Sequence, residues 1–201
     1  MPIKSNREYR SAVAMTPTEE NSYIVEGYAS TFKPYVLYSY DGIDYWEKID
    51  RHAFDDADMR DVIMQYDHEG RVYARQSNGT LEISIDDHGL KIRADLSKTE
   101  GSRELYEEIK AGLIKEMSFA FTIFEDAYDR DTHTRTILKI KKVYDVSAVS
   151  IPANPDTDIS ARSYFEGVIE AEKQELLERQ KEAEAREAQK RKIKILLEAT
   201  K

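Results

Sequence analysis

The sequence contains no cysteine among its 201 residues, which excludes disulfide bonds, cysteine-ligated zinc or iron–sulfur sites and thiol catalysis. Basic residues are also in deficit, because 30 Lys and Arg stand against 39 Asp and Glu for a formal net charge of −9. This acidity argues against nucleic acid as a partner, since binding a phosphate backbone needs a concentrated basic surface. The chemistry left to the chain is that of hydroxyl, carboxylate and imidazole groups.

Long hydrophobic stretches are absent as well. No apolar run approaches the roughly 18 to 20 residues that span a bilayer. The amino-terminal segment MPIKSNREYR lacks the apolar centre of a signal peptide. We therefore expect a soluble, cytoplasmic protein with no membrane partner.

The composition changes near Ser160. The residues before it carry almost all the aromatic side chains, whereas residues 163–201 contain nine basic and nine acidic side chains, which leaves the whole net charge to the rest of the chain. We predict two domains, 1–162 and 163–201, the second being a helix of strong intrinsic propensity. This helical tail is interpreted either as a solvated surface of opposite-charge pairs or as a packaging or docking arm.

The first domain is predicted to be mainly β-structure. Segments rich in β-branched and aromatic residues are separated by marked turns at Asn78-Gly79 and at Asp86-Asp87-His88-Gly89, which predict a meander. The strand candidates are Ser22 to Phe32, Ile43 to Ile49, Asp61 to His68, Val72 to Arg75, Thr80 to Ile85, Leu90 to Leu96, Met117 to Glu125 and Thr134 to Ser150.

One helix interrupts these strands. Lys98 to Ala111 is predicted to be helical, with Thr99 or Ser102 as its cap and Gly112 at its stop. Its apolar face is formed by Leu105, Ile109 and Leu113. Strands around one helix, with a long closing strand pair, favour a small closed or partly open β-barrel over a parallel sheet. No alternation of strands and helices supports a nucleotide-binding fold, and no cofactor is expected.

Histidine is the first residue type to consider for catalysis. None of the four, at positions 52, 68, 88 and 133, has the i, i+4 spacing of a helical zinc site, so no metal site is predicted. His68 ends the segment DVIMQYDH, where strand alternation places it on the more apolar face. It is interpreted either as a core-edge residue bonded to the backbone or as an imidazole that faces a cleft.

A serine and an aspartate are the other candidates. Ser118 in KEMSFAF shares a face of small residues with Ala120 and Thr122, and a serine hydroxyl becomes a nucleophile when a positioned base takes its proton. Asp145 in VYDVSAVSIPANP lies among valines, where a buried carboxylate needs a partner such as an imidazole. The alternatives are a structural strand serine and an edge-strand acid that faces water.

The order of several segments along the chain resembles that of a known family. DVIMQYDH is followed by SNGTLEISIDDHGLKIRADLSKT, AGLIKEMSFAF and VYDVSAVSIPANPDTDIS, and EGYASTF and YWEKIDRHAF precede them. This order resembles the prohead (capsid maturation) serine proteases of tailed bacteriophages over roughly Tyr23 to Ala161. The resemblance implies a serine endopeptidase with a β-barrel similar to that of the herpesvirus assembly proteases, acting inside the procapsid in the host cytoplasm.

The resemblance also implies roles for the three candidates. Ser118 matches the family's nucleophile in its MSF motif, and His68 matches the general base that follows an apolar strand. Asp145 matches the orienting acid, at a position where the family more often has Glu. The implied partners are scaffold segments and the major capsid protein precursor, with cleavage of the protease itself, and the herpesvirus analogy favours a dimer.

Other interpretations stay open from the sequence. One is an inactive capsid-assembly or scaffold-binding module of the same fold, and another is a metal-dependent hydrolase that uses the acidic cluster Asp55, Asp56, Asp58 and Asp61. Ser147 and Ser150 are rival nucleophiles. An oxyanion hole is required for acyl transfer, and the candidates for it are backbone amides within Ser147 to Ala153 or the side chain of Arg135.

Overall fold

The structure, a computed structural model, describes residues 7–12, 15–18, 22–150 and 159–199. The chain divides into two compact units, Met1–Arg162 and Ser163–Lys201. The predicted mainly-β fold with a carboxy-terminal helix is confirmed. The strands are β1 (Glu8–Ala12), β2 (Thr16–Pro17), β3 (Ile24–Thr31), β4 (Tyr35–Tyr40), β5 (Ile43–Ile49), β6 (Ile63–Tyr66), β7 (Glu69–Arg75), β8 (Leu81–Ile85), β9 (Gly89–Asp95), β10 (Glu116–Asp129) and β11 (Thr134–Val149), and the helices are α1 (Glu100–Lys110) and α2 (Ile159–Ala199).

The described strands form two sheets. The larger sheet has the order β1-β10-β11-β5-β4, and β11 also pairs with β6, which in turn pairs with β7. The smaller sheet has the order β2-β3-β9-β8. The long strand β11 runs antiparallel to β10 but parallel to both β5 and β6, so the larger sheet is mixed. Within the described residues these two sheets do not make the closed barrel that the strand pattern allowed.

Of the two turns that predict a meander, only the second connects strands that pair with each other. β8 and β9 pair as expected around the turn that begins at Asp86. The Asn78-Gly79 turn, in contrast, connects the two sheets, because β7 pairs with β6 and β8 pairs with β9. Gly79 has a φ of 76°, and Asn78 Oδ1 accepts hydrogen bonds from both the amide and the hydroxyl of Thr80. The local turn chemistry is therefore as predicted, but the partners of its flanking strands are not.

An apolar cluster of described residues forms the core of the first unit. It takes side chains from both sheets and from α1, and burial of each large apolar side chain stabilises the fold by about 1.5–3 kcal/mol. Among its fully buried members are Phe54, Met64, Leu90, Ile92, Leu96, Tyr106, Met117, Phe119, Phe121 and Ile137. Phe119 and Phe121 alternate with Ser118 and Ala120 along β10, so the other face of that strand is free to carry polar groups.

Helix α1 begins and ends close to the predicted positions. Thr99 is the cap, and its side chain accepts a hydrogen bond from the Ser102 amide. Leu105 and Ile109 are buried as expected. Leu113 is 75% exposed, contrary to the prediction, because the helix ends at Lys110 and Gly112 adopts a φ of 73° that turns the chain away.

Helix α2 is 41 residues long, and most of its described side chains are exposed. Ion pairs at i, i+4 spacing follow one another along it, with nitrogen–oxygen distances of 2.6 Å for Arg179–Glu175 and 3.5 Å for Arg191–Glu187. This is the pattern of a solvated, charge-paired helix. Within the described residues, no helix has both the length and the apolar character needed to cross a bilayer.

Candidate active site

Two of the three candidate residues lie side by side on one face of the larger sheet. In the antiparallel pair of β10 and β11, Ser118 is opposite Ser147 and Ala120 is opposite Asp145. Directly opposed residues share a face, and so do residues two positions apart on one strand. Ser118 and Asp145 are therefore neighbours by register, on the face away from the Phe119 and Phe121 side chains.

His68 reaches this face from a turn and not from a strand. β6 ends at Tyr66, and Asp67 and His68 form a two-residue connection to β7 with φ values of 48° and 61°. Positive φ at both central residues is the signature of a type I′ hairpin turn, and Asp and His tolerate this conformation better than most residues. The prediction that His68 ends a strand with its ring on the apolar face is thus wrong, although its neighbours Met64 and Tyr66 do lie in β6.

The turn is held against the end of β11 by Asp67. Its amide donates to the carbonyl oxygen of Ala148 at 3.0 Å. Its carboxylate accepts hydrogen bonds from the amide and the hydroxyl of Ser150, at 2.9 and 2.8 Å. Because β11 also carries Asp145, these bonds fix the turn relative to the acid that His68 contacts.

The imidazole of His68 lies between the other two side chains. Its Nδ1 is 2.6 Å from Asp145 Oδ1, and its Nε2 is 2.6 Å from Ser118 Oγ. The side chains of His68 and Asp145 are 14% and 4% exposed, and Ser118 is 1% exposed. The structure thus joins the hydroxyl, the imidazole and the carboxylate in one hydrogen-bonded chain that is largely shielded from water.

Two further ring contacts involve Tyr9 in β1 and Arg7 just before that strand. Tyr9, opposite Ala120 in the register, packs its ring edge-on against His68 with centroids 4.7 Å apart. Arg7, two residues earlier, places its guanidinium 3.9 Å from the ring centre of Tyr144. Sequence analysis missed both residues, because Glu8–Ala12 has too few apolar residues to be predicted as a strand.

A buried ion-pair network holds β1 in place. Arg10 Nε donates to Glu47 Oε1 at 2.5 Å, Tyr35 donates to the same carboxylate at 2.5 Å, and Arg135 donates to it at 3.3 Å. Burial on its own would raise the pKa of Glu47, but the adjacent Arg10 and Arg135 cations and the Tyr35 hydroxyl hold it below its ordinary value. Glu8 pairs with Arg135 on β11 at 3.1 Å, so β1 is joined to the network at two positions.

Arg135 is committed to this network and is not available at the candidate site. It donates to Asp126 at 2.7 Å and to Glu8 at 3.1 Å, and its register partner on β10 is Tyr128, ten residues from Ser118. Arg135, one of the candidates from the sequence for the oxyanion hole, therefore lies away from Ser118. Of the other proposed donors, the Ser150 amide is bonded to Asp67, and residues 151–153 lie outside the described residues.

The rival nucleophiles are each bonded to an acid. Ser147 Oγ donates to Asp145 Oδ1 at 2.8 Å and is fully buried. Ser150 Oγ donates to Asp67, as described above. Neither hydroxyl has an imidazole as its described partner, so Ser118 is the serine that the geometry pairs with a histidine.

His52 and three members of the acidic cluster make separate local contacts. His52 pairs with Asp55 at 3.0 Å, and Asp58 pairs with Arg60 at 2.9 Å. Asp61 pairs with Arg75 at 2.9 Å. In the part of the chain that the structure describes, no three His, Asp or Glu side chains are grouped as a metal site would require.

A serine hydroxyl, an imidazole and a carboxylate in this order are the arrangement by which serine hydrolases generate a nucleophile. The chain belongs to the caudovirus prohead serine protease family, whose sequence profile matches residues 10–170. It is similar to the prohead protease of Escherichia phage T5, with 25% identity over 109 residues, which is 54% of this chain and 50% of that protein. The chain thus spans about half the length of this curated relative. No solved structure matches the chain.

Proposed function

We propose that this chain is a serine endopeptidase in which Ser118 is the nucleophile, His68 the general base and Asp145 the acid that orients the imidazole. The observation that carries the proposal is the position of His68, whose two ring nitrogens are each 2.6 Å from the partner that the mechanism needs. Membership of the prohead serine protease family supports the same assignment.

The direction of each hydrogen bond follows from its partners. A carboxylate only accepts hydrogen bonds, so Asp145 holds the proton of the neutral imidazole on Nδ1. The lone pair on Nε2 then accepts the hydroxyl proton of Ser118. This is the tautomer that a general base requires. It is set by Asp145, which accepts the hydrogen bond from Nδ1, and not by Ser118.

The reaction follows from this arrangement. Ser118 Oγ forms a bond to the peptide carbonyl carbon while its proton moves to His68 Nε2. The imidazolium, stabilised by Asp145, gives that proton to the departing amine as the carbon–nitrogen bond breaks. His68 then takes a proton from water, which attacks the ester carbon, and gives that proton to Ser118 Oγ as the ester bond breaks and the new carboxyl group leaves.

The substrates and setting of the reaction are part of the proposal. We propose that the protease cuts scaffold or capsid-precursor segments inside the procapsid in the host cytoplasm, and then itself. The similarity of the fold to the herpesvirus assembly proteases and the dimer remain predictions from the resemblance. The charged helix α2 is proposed as the packaging arm, and a chain without residues 163–201 should enter procapsids less efficiently. Equal packaging of the two chains would overturn that assignment.

Covalent labelling by a fluorophosphonate tests the catalytic assignment without knowledge of the substrate. The full-length protein should be labelled at Ser118, as located by peptide mass spectrometry, whereas Ser118→Ala and His68→Ala should not be labelled. Ser102→Ala is a matched control, because Ser102 is a buried serine whose hydroxyl donates to the Tyr73 carbonyl oxygen, and it should label normally.

Co-expression with the capsid precursor extends the test to the natural reaction. The precursor should be shortened by the parent protein and by Ser102→Ala, and left intact by Ser118→Ala. Cleavage by Ser118→Ala at the parent rate would overturn the proposal. Absence of both labelling and cleavage in the parent would instead indicate an inactive module of the same fold.

A further inference from the structure

Asp145 Oδ1 accepts two hydrogen bonds on the candidate site, one from His68 and one from its own strand. His68 Nδ1 is 2.6 Å away and Ser147 Oγ is 2.8 Å away. Ser147 is fully buried and Asp145 is 2% exposed. A carboxylate this deeply buried needs compensating donors, because desolvating its charge without them is costly.

We propose that Ser147 is a positioning residue that fixes the Asp145 carboxylate for His68, an inference that rests on the proposed function. The side chain of an aspartate rotates readily about its last bond, since that torsion has only broad minima. A single bond to His68 leaves this rotation open. A second donor, attached two residues along the same rigid strand, holds Oδ1 toward the imidazole.

The place of Ser147 in the sheet explains why its hydroxyl is free for this role. β11 is paired on both sides, with Ser147 opposite Ser118 on β10 and beside Gln65 on β6. Its backbone is therefore fixed by pairing with strands on both sides, and only the side-chain torsion of Ser147 can change. Because Ser147 and Asp145 are two residues apart on one strand, their side chains lie on the same face.

The other groups on this face do not offer Asp145 an equivalent donor among the described contacts. Tyr9 contacts the ring of His68 through its own ring. Arg7 lies over the ring of Tyr144, and Asp67 is an acceptor whose oxygens are bonded to Ser150. Ser147 is thus the described hydroxyl that secures the acid, and the sequence interpretation of it as a rival nucleophile is replaced by a supporting role.

The proposal predicts a measurable loss of catalytic rate without a loss of binding. In Ser147→Ala, saturation kinetics with the fluorophosphonate should show a maximal labelling rate lower by about tenfold, the scale of a lost hydrogen bond to a charged group. The half-saturating probe concentration should change little. Ser147→Thr keeps the hydroxyl and should restore most of the rate, and Ser102→Ala should behave as the parent.

A second readout does not depend on activity. The proton on His68 Nδ1 should give a low-field signal in the proton NMR spectrum of the full-length protein, assigned by its absence in His68→Gln. The signal should broaden or vanish in Ser147→Ala through faster exchange, and persist in Ser147→Thr. If Ser147→Ala does not fold, Ser147→Cys, which keeps the shape but donates weakly, takes its place.

The outcomes separate the two proposals. If the parent protein labels at Ser118 but Ser147→Ala labels at the parent rate and keeps the Nδ1 signal, the positioning role is wrong and the proposed function stands. If the parent neither labels nor cleaves the capsid precursor, the proposed function fails, and the Nδ1 signal alone then decides the role of Ser147.

Discussion

Tyr9 and the imidazole of His68 form an edge-to-face ring pair, with the ring centroids 4.7 Å apart and the planes inclined by 64°. The contact joins the first described strand to the turn between β6 and β7, and it covers the imidazole on the side that faces β1. An edge-to-face pair of this kind contributes about 0.5–1.5 kcal/mol beyond the area it buries. The ring of Tyr9 thus restrains the plane of the imidazole, which the hydrogen bonds at its two nitrogens hold only along one axis.

Replacing Tyr9 tests this restraint. Tyr9→Ala should slow fluorophosphonate labelling of Ser118 about two- to tenfold, since a barrier increase of about 1.4 kcal/mol corresponds to a factor of ten. Tyr9→Phe keeps the ring and should label at close to the parent rate. Equal rates for Tyr9→Ala and the parent would show that the contact has no catalytic consequence.

Asp67 is expected to be as important for the position of His68 as its direct partners. Asp67→Ala removes both bonds to Ser150 and places alanine at a φ of 48°, so we expect a loss of about 1–3 kcal/mol in unfolding free energy. Labelling of Ser118 should slow as well. Asp67→Asn tolerates the same backbone conformation and keeps an acceptor for Ser150, and it should retain most of both properties. Urea denaturation and labelling kinetics on the same samples measure stability and labelling rate. If both are unchanged in Asp67→Ala, the hydrogen bonds of Asp67 do not hold the turn in place.

Glu47 should make a large contribution to stability. Glu47→Gln leaves the buried Arg10 guanidinium without its main charged partner, and breaking a buried ion pair costs about 3–5 kcal/mol. Glu125→Gln is the control, because the Glu125–Lys139 pair is about half exposed on the β10–β11 hairpin and should contribute less than about 1 kcal/mol. Chemical denaturation of both variants at neutral pH compares the two pairs.

The same residue predicts how stability changes in acid. The pKa of Glu47 is lower in the folded protein than its ordinary value of 4.5, so the unfolded chain takes up the proton first as the pH falls. Its contribution is therefore fully present above pH 4.5 and is lost as the pH falls toward the lowered folded value. Unfolding free energies measured between pH 6 and 3 should fall less steeply in Glu47→Gln than in the parent. Parallel curves would contradict this contribution.

Gly89 permits a close approach in the smaller sheet. A Cβ atom at this position would lie 2.0 Å from the carbonyl oxygen of Ser30, which belongs to the paired strand β3. Gly89→Ala must therefore displace backbone, and we expect a loss of about 1–3 kcal/mol. Ser84→Ala, at an exposed site on the neighbouring strand β8, should stay within about 0.5 kcal/mol of the parent in thermal unfolding.

Much of the candidate site could be predicted because it obeys strand alternation. Ser118 and Asp145 lie on strands whose apolar residues alternate clearly, and their shared face follows from period-two geometry. β5 has the predicted bounds, Ile43–Ile49, for the same reason. Helix α1 carries its own cap and stop signals, and it begins within two residues of the prediction.

His68 shows where the local pattern is insufficient. Alternation in DVIMQYDH continues through its last two residues, and neither Asp67 nor His68 signals a turn as strongly as Asn-Gly does. The turn is fixed instead by bonds to Ala148 and Ser150, which lie some 80 positions later in the sequence. A segment of eight residues contains no information about partners at that distance in the sequence, so the turn could not be predicted from it.

The buried ion-pair network was missed for a related reason. Arg10, Glu47 and Arg135 are residue types that are almost always exposed, and nothing in their neighbouring sequence marks them as buried. They are buried together because β1, β5 and β11 belong to one sheet. β11 pairs directly with β5, and β10 lies between β11 and β1. Strand β1 and the ion-pair network were therefore missed together, because the network holds β1 in the sheet and β1 supplies Arg10 to the network.

The chain order of the contacts also affects when the site can form during synthesis. His68 is followed by Ser118 after 50 residues and by Asp145 after 77, and β1 finds its partner β10 more than a hundred residues downstream. Contacts of such long sequence separation form slowly, because the loops that they close must first lose their freedom. A ribosome-bound chain therefore lacks the complete site until β11 has emerged. The three side chains therefore come together only when the first unit is nearly complete, so the growing polypeptide carries an unassembled site.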